Sequence, residues 1–342
     1  MALKFGVFVP QGWQMDLAQI EDPIEKYEAM TRAAQAADKG PWDSIWVYDH
    51  FHTVPRPEME STFECWTITS TLVRDTKRVR VGQMVGCNGY RNPALYAKIA
   101  STVDVASHGR LNAGLGAGWY EHEWRAYGYG FPEMKVRMAM FKEACEIVHR
   151  MWTEDYPTFK GAYYTIDRPI NEPKGVQKPH PPLWIGGSGE KVTLKLVAQF
   201  GDACNIDSEP DTIGHKLSVL RQHCEAVGRP YEQIIKSCTI GAFVIDKGAD
   251  AERATAKARG SKTLQEFAPE GGMVADADRL AERIHELVDA GIDYVIVYIP
   301  GIAYDLEPLH RFESEVIPML AQSKAVHSKA RVLLPEPEPR RA

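Results

Sequence analysis

The six cysteines of the chain, Cys65, Cys87, Cys145, Cys204, Cys224 and Cys238, are scattered, and no two stand at C-x-x-C spacing. No paired redox or zinc motif is therefore present, and an even count in a chain of this length is weak evidence for disulfides. Long hydrophobic runs are missing as well: none approaches the ~18–20 residues that span a bilayer. There is no basic excess. Net charge is −6, and the only compact basic cluster, Arg340-Arg341, sits in a Pro-rich tail. Nucleic-acid binding needs clustered Lys and Arg, so it is not expected. The opening Met1-Ala2-Leu3-Lys4-Phe5 reads as a first strand rather than a secretory leader. The expectation is a soluble, cytosolic chain without nucleic-acid or membrane partners.

What the 342 residues do hold is an ordinary globular mixture, 44% hydrophobic and 25% charged. Short apolar, β-branched runs (4–9, 44–48, 79–85, 111–115, 183–186, 202–206, 238–245 and 293–299) alternate with longer stretches of helical period. Strands buried on both faces read as continuous apolar runs, the mark of parallel pairing beneath helices. About eight strand–helix units imply one (β/α)8 TIM barrel over residues 1–322, with an open α/β sheet as the runner-up. Two long segments interrupt the alternation. Residues 153–182, rich in Gly and Pro, have the length of a lid or binding segment, and 246–275 form a second irregular stretch. Residues 323–342, with Pro335, Pro337 and Pro339, read as a flexible tail.

Barrel enzymes work at the C-terminal ends of their strands. Asp49 and His50 fall there, after the second run, and an imidazole beside a carboxylate serves as general acid or base near neutral pH. The plainer alternative is that Asp49 caps the next segment and His50 packs. His50 and His52 also permit a metal reading. The ends of the fifth, sixth and eighth runs, however, supply no histidine and no acid beyond Asp207, so no metal is expected. Cys87, next to Asn88, has no legible base nearby and reads as a packing residue.

Two glycine clusters follow. Gly114-Leu115-Gly116-Ala117-Gly118 ends the fourth run and leads into Trp119, Tyr120, His122 and Trp124. Small residues there let a flat ring lie against the backbone, or they simply allow tight barrel packing. "PPLWIGGSGEK" (181–191) places Gly186, Gly187, Ser188 and Gly189 between a strand and a helix. Bare amides at the positive end of a helix, with Ser188 as cap and Lys191 one turn in, describe a phosphate cradle. It is neither a Walker loop nor G-x-G-x-x-G, and a plain helix start is the alternative.

Together, "WVYDHF" (46–51), "GYRNPALYAKIASTVDVASHGRLNAGLGAGWYEHEWRAYGYGFP" (89–132) and "PPLWIGGSGEKVTLKLVAQFGDACNI" (181–206) resemble the bacterial luciferase-like superfamily. Within it they resemble the branch that uses the deazaflavin coenzyme F420. The resemblance runs through residues 4–210 and is looser beyond. It implies a TIM barrel with a flavin-type ring at its mouth and the coenzyme phosphate on the 186–189 turn. It further implies Asp49 and His50 at the ring, His50 exchanging a proton, and a non-prolyl cis bond at Met84-Val85. Cys87, Asn88, Gly118, Trp119 and His122 complete the implied cofactor set. Trp119 stands where sugar-phosphate dehydrogenases of this branch place a catalytic glutamate, which puts that activity in doubt. Gly86 stands where relatives often have threonine.

The implied activity is hydride transfer between F420 and a small substrate beneath the 153–182 lid, in a homodimer or larger assembly. Walls of Trp13, Trp119 and Tyr298 suggest an apolar or aromatic substrate. One alternative is an FMN-dependent monooxygenase. Another is a non-catalytic flavin-binding barrel, against which the intact Asp49, His50 and 186–189 turn count.

Overall fold

A computed structural model describes residues 3–54, 56–260, 262–268 and 272–320. Eight strands carry the fold: Lys4–Phe8, Ser44–Val47, Arg80–Gln83, Leu111–Gly116, Leu183–Gly186, Ala203–Ile206, Ile235–Val244 and Tyr294–Tyr298. Each pairs in parallel with the next, and the eighth returns to the first with Lys4 opposite Tyr294. That closure makes a (β/α)8 TIM barrel and rules out the open sheet.

The sequence builds this barrel in a legible way. The second, third and fourth strands have no residue outside the buried class, as strands covered on both faces require. The helix Pro23–Lys39 shows the outer layer. Asp22 caps it, Pro23 opens it, and Ala29, Met30, Ala33, Ala34 and Ala37 form the face it buries. Inside the barrel, Phe8, Trp46, Trp184 and Tyr294 make one cluster, with Trp46 and Trp184 edge to face at 4.7 Å. Trp46 needs small neighbours. A Cβ at Gly6 would come within 2.3 Å of its Nε1, and one at Gly82 within 2.5 Å of its ring.

The two interrupting segments lie at different faces of the barrel. None of residues 153–182 lines the cavity described below. The reason is topological: an outer helix carries the chain back to the N-terminal face, so the connection into the fifth strand starts at the end opposite the strand C-termini. The segment forms a hairpin, Thr158–Lys160 with Thr165–Asp167. It is then pinned at the strand starts, where Arg80 donates to Gln177 Oε1 at 2.7 Å and Gln177 Nε2 donates to Leu111 O at 2.8 Å.

The 246–275 stretch is more regular than expected. It contains the helices Ala251–Arg259 and Leu264–Phe267, the latter closed by a Thr263–Glu266 capping box, and the strand Met273–Ala275 beside Ala242–Val244. Because it follows the seventh strand, it belongs to the C-terminal face. There Lys262 Nζ donates to the carbonyls of Gln14 and Met15 at 3.0 and 3.5 Å. The expected barrel limit at 322 and the 323–342 tail lie outside the described residues. Among the described residues, no helix is long and apolar enough to cross a membrane, and all six cysteines are free and buried.

Candidate active site

A cavity of about 810 Å³ opens at the C-terminal ends of the strands. Asp49 and His50, both buried, leave the second strand in opposite chemical directions. The Asp49 carboxylate is fully engaged. Arg91 donates to its two oxygens at 2.6 and 3.0 Å, and the Cys87 amide donates to Oδ2 at 2.7 Å. Arg91 also binds Glu64. Burial opposes the Arg91 charge, but Asp49 more than restores it and holds the guanidinium above its ordinary value. Asp49 therefore ties the second strand to the chain after the third and has no oxygen without a donor.

His50 faces a second carboxylate. Its Nδ1 lies 2.8 Å from Oε2 of Glu123, a residue with no exposed surface on the short helix Glu121–Ala126. Glu123 Oε1 accepts from the amides of Phe51 and His52 at 2.7 and 2.8 Å, and Oε2 accepts from Tyr90 at 2.7 Å. Burial pushes the Glu123 carboxyl up, yet His50, the His52 amide and Tyr90 together outweigh it and hold the group below its ordinary value. Trp13 stacks on the imidazole, and the edges of Trp119 and Tyr120 approach it at 5.7 and 5.9 Å. With Nδ1 committed, Nε2 is the nitrogen left for the cavity that His50 lines.

The wall beside His50 contains the cis Met84-Val85 bond expected from the resemblance. Val85 accounts for part of the glycine pattern around it. A Cβ at Gly116 would come within 2.6 Å of Val85 Cγ2, and one at Gly186 within 2.8 Å. Gly114 makes room for the Gln83 carbonyl and Gly118, at φ +76°, for Cys87 Sγ. The fourth-strand glycines thus admit protein atoms directly, the plainer of their two readings, although Gly116 and Gly118 still line the cavity. Cys87 packs with Tyr90 and Trp124, and burial pushes its thiol up, away from the reactive thiolate.

The glycine turn at the fifth strand differs in detail from its expectation. The helix starts only at Thr193, behind Val192, and has no side-chain cap. Ser188 Oγ accepts from the Asp207 amide at 3.0 Å instead of capping, and Lys191 precedes the helix. Gly187, at φ +114°, donates to Asn205 O at 2.9 Å. The next amides, of Ser188, Gly189, Glu190 and Lys191, donate to no protein acceptor among the described residues. They line the cavity along with Thr193 and Lys216. Lys216 is paired with Glu190 at 2.6 Å, and its hydrogen bond, with His215 nearby, keeps that carboxyl below its ordinary value. Unpaired amides on a glycine turn, beside hydroxyls and a lysine, suit a phosphate-type oxyanion.

Of the expected site residues, Asp49, His50, Met84, Val85, Cys87, Gly118, Trp119 and Gly186 through Gly189 meet around this one cavity. Asn88 and His122 do not line it. Asn88 bonds Tyr164, and His122 is exposed with its Nδ1 3.1 Å from that of His52. Trp13 and Trp119 line the cavity as expected, whereas Tyr298 packs on the interior cluster. Sequence reasoning missed Glu123, Tyr90, Arg91, Met134, Met138 and Lys216. The one usable signal was an acidic residue inside the aromatic run Trp119–Trp124, where a buried carboxylate must find donors.

Fold and site together define a TIM-barrel protein with an imidazole–carboxylate pair and a set of unpaired backbone amides around one large mouth cavity. The chain belongs to the luciferase-like monooxygenase family, whose family model matches residues 3–292. It is 25% identical over 308 residues to an F420-dependent glucose-6-phosphate dehydrogenase of Amycolatopsis mediterranei, covering 81% of this chain and 90% of that one. An FMNH(2)-dependent dimethylsulfone monooxygenase of Pseudomonas putida is 31% identical over 129 residues, 38% of this chain and 35% of its own. Among solved structures, an F420-dependent secondary alcohol dehydrogenase in complex with an F420-acetone adduct superposes with a TM-score of 0.75. Its identity is 23%, and the match covers 94% of this chain and 99% of that one.

Proposed function

We propose that this protein is an F420-dependent oxidoreductase that exchanges a hydride with a small, uncharged organic substrate. The observation that carries the reading is the pairing, around one cavity, of a His50 ring held by Glu123 and Trp13 with the free amides of 188–191. The residues present fit the coenzyme. Val85 and Met84 offer an apolar wall for a flat ring, and the amides, Ser188, Thr193 and Lys216 offer partners for its phosphate.

F420, when bound, supplies the carbon centre that gives or takes the hydride. The protein's part is position and proton. In alcohol oxidation, His50 Nε2 takes the hydroxyl proton as hydride leaves the carbinol carbon; in carbonyl reduction the protonated ring returns it. The lysines of the lining, Lys191 and Lys216, both belong to the phosphate end. The His50 ring is flanked by Trp13, Trp119 and Tyr120, and Tyr48, Met134 and Met138 also line the cavity. That surface supports an apolar or aromatic substrate and offers a sugar phosphate no second cation. Trp119 in place of an acid argues the same way. The reading carries with it the cytosolic location expected from the sequence and the homodimeric or larger assembly that the resemblance implies.

Relatives that use FMN keep a second reading open, a flavin monooxygenase on the same barrel. Titrating the purified protein with F420 and with FMN, followed by visible absorbance, separates the two. The proposal expects saturable F420 binding, with F420 reduction by secondary alcohols and none by glucose 6-phosphate. Tight FMN binding with no response to F420 would overturn it.

A further inference from the structure

We infer that Glu123 is the positioning residue that fixes the tautomer of His50, holding the proton on Nδ1 and presenting a bare Nε2 to the cavity. The inference deepens the proposed function, but its geometry stands without any coenzyme. Two carboxylates flank His50 and they are not equivalent. Asp49 is spent on a permanent cation, with Arg91 on both oxygens. Glu123 pairs with no Lys or Arg among the described residues; its one ion-pair partner is His50.

The contacts of Glu123 dictate the proton's place. An ionised carboxylate only accepts, and Glu123 is held in that form by its donors. Tyr90 keeps its hydroxyl proton, because burial and the neighbouring Cys87 and Glu123 push its ionisation far up, so it also donates to Oε2. The nitrogen 2.8 Å from Oε2 must then bring a hydrogen of its own. Trp13 lies parallel to the ring and opposes a half-turn that would put Cδ2 in place of Nδ1 against Glu123. When Nε2 takes up a proton, Glu123 is the nearby charge that balances the imidazolium.

The conservative variant Glu123→Gln supplies the test, because the same contacts predict its orientation. The amides of Phe51 and His52 both point at Oε1, so the glutamine carbonyl takes that place. Its NH₂ then falls at the Oε2 position and donates to His50 Nδ1, forcing the proton onto Nε2. Imidazole ¹⁵N NMR of coenzyme-free protein, with the His50 signals assigned by their loss in His50→Asn, reads this directly. The expected result is Nδ1–H in the parent and Nε2–H in Glu123→Gln. Turnover should fall roughly 10²–10⁴-fold, as for a general base held in the wrong tautomer, while F420 affinity and KM change less than about 3-fold. Tyr90→Phe, which removes another donor from Glu123 without touching His50, should keep the Nδ1–H tautomer. An Nε2–H tautomer in the parent, or full turnover in Glu123→Gln, overturns the inference. Failure of F420 to bind would sink the proposed function alone, since the NMR comparison needs no coenzyme.

Discussion

Trp13 lies flat on His50, with ring centroids 4.5 Å apart and planes 3° from parallel. The contact ends a column of rings that starts inside the barrel: Phe8 stacks on Tyr48 at 4.1 Å, and Tyr48 meets Trp13 at 4.0 Å. Residues from the first strand, the second strand and their two loops are thereby locked to one catalytic candidate. A rigid core thus reaches to the edge of a cavity whose far rim, at Trp119, is 58% exposed.

Removing the slab should loosen His50 without deleting it. Trp13→Ala is expected to lower kcat about 10-fold or more, because stacking beyond area burial is worth roughly 0.5–1.5 kcal/mol and water gains access to the ring. Trp13→Phe keeps a flat face and should stay within about 3-fold. Steady-state kinetics of both variants with F420 and the best alcohol substrate checks the order.

Asp49 is the other residue beside His50, and its defect should appear in stability. Its side chain has no exposure and that of Arg91 only 11%. Breaking one side of a buried pair costs about 3–5 kcal/mol, because the surviving charge is left buried. Asp49→Asn should therefore lower unfolding stability by that order, with Glu64 softening the loss. Asp49→Asn combined with Arg91→Met should be less destabilised than the sum of the two single changes. Urea unfolding of the three variants measures the coupling.

The turn at 186–189 makes a prediction about binding. Gly189 is exposed and its amide is free, but a Cβ there would come within 2.9 Å of Thr193 Oγ1. Gly189→Asp places a carboxylate where the amides and Lys216 would hold an anion. F420 affinity should fall by a factor on the order of 100, which is about 2.7 kcal/mol, while the far-UV spectrum stays unchanged. Equal affinity in parent and variant would move the phosphate off this turn.

How much of this was legible before the structure depended on how local each feature was. Strand and helix alternation depends on period, and it delivered the barrel. "WVYDHF" and the glycine turn depend on a few adjacent residues, and both landed on the cavity. Glu123 sits 73 positions from His50, and no periodicity links the two. That 153–182 would stay off the cavity lining was not legible, because length and composition say nothing about which face of a barrel a loop crosses; connectivity does. The fourth-strand glycines were read either as space for a flat ring or as tight barrel packing, and Val85, Gln83 and Cys87 take much of that space. Sequence showed that room was needed there without showing for whom.

Asp16 supplies the pH dependence. It lies buried in the loop after the first strand, with the Gly12 amide donating to Oδ1 at 2.7 Å. Burial raises it from an ordinary 3.8 to about 6, against the pull of backbone donors and Lys262. Lys262 is itself pushed down by burial, with Asp16 working the other way. The native chain therefore keeps the Asp16 proton up to about pH 6, while the unfolded chain releases it near pH 4. Between those values the native state binds more protons, so this group's contribution to stability falls as pH rises and levels off above about pH 6. A displacement of that size amounts to roughly 3 kcal/mol. Asp16→Asn keeps an Oδ1 for Gly12 and cannot ionise. Relative to the parent, it should gain little at pH 4 and progressively more up to about pH 7, less whatever Lys262 loses with its partner. Urea unfolding of both proteins from pH 4 to 8 measures the difference. A gap that stays flat, or narrows as pH rises, would show that the carboxylate ionises in the native loop as freely as in the unfolded chain.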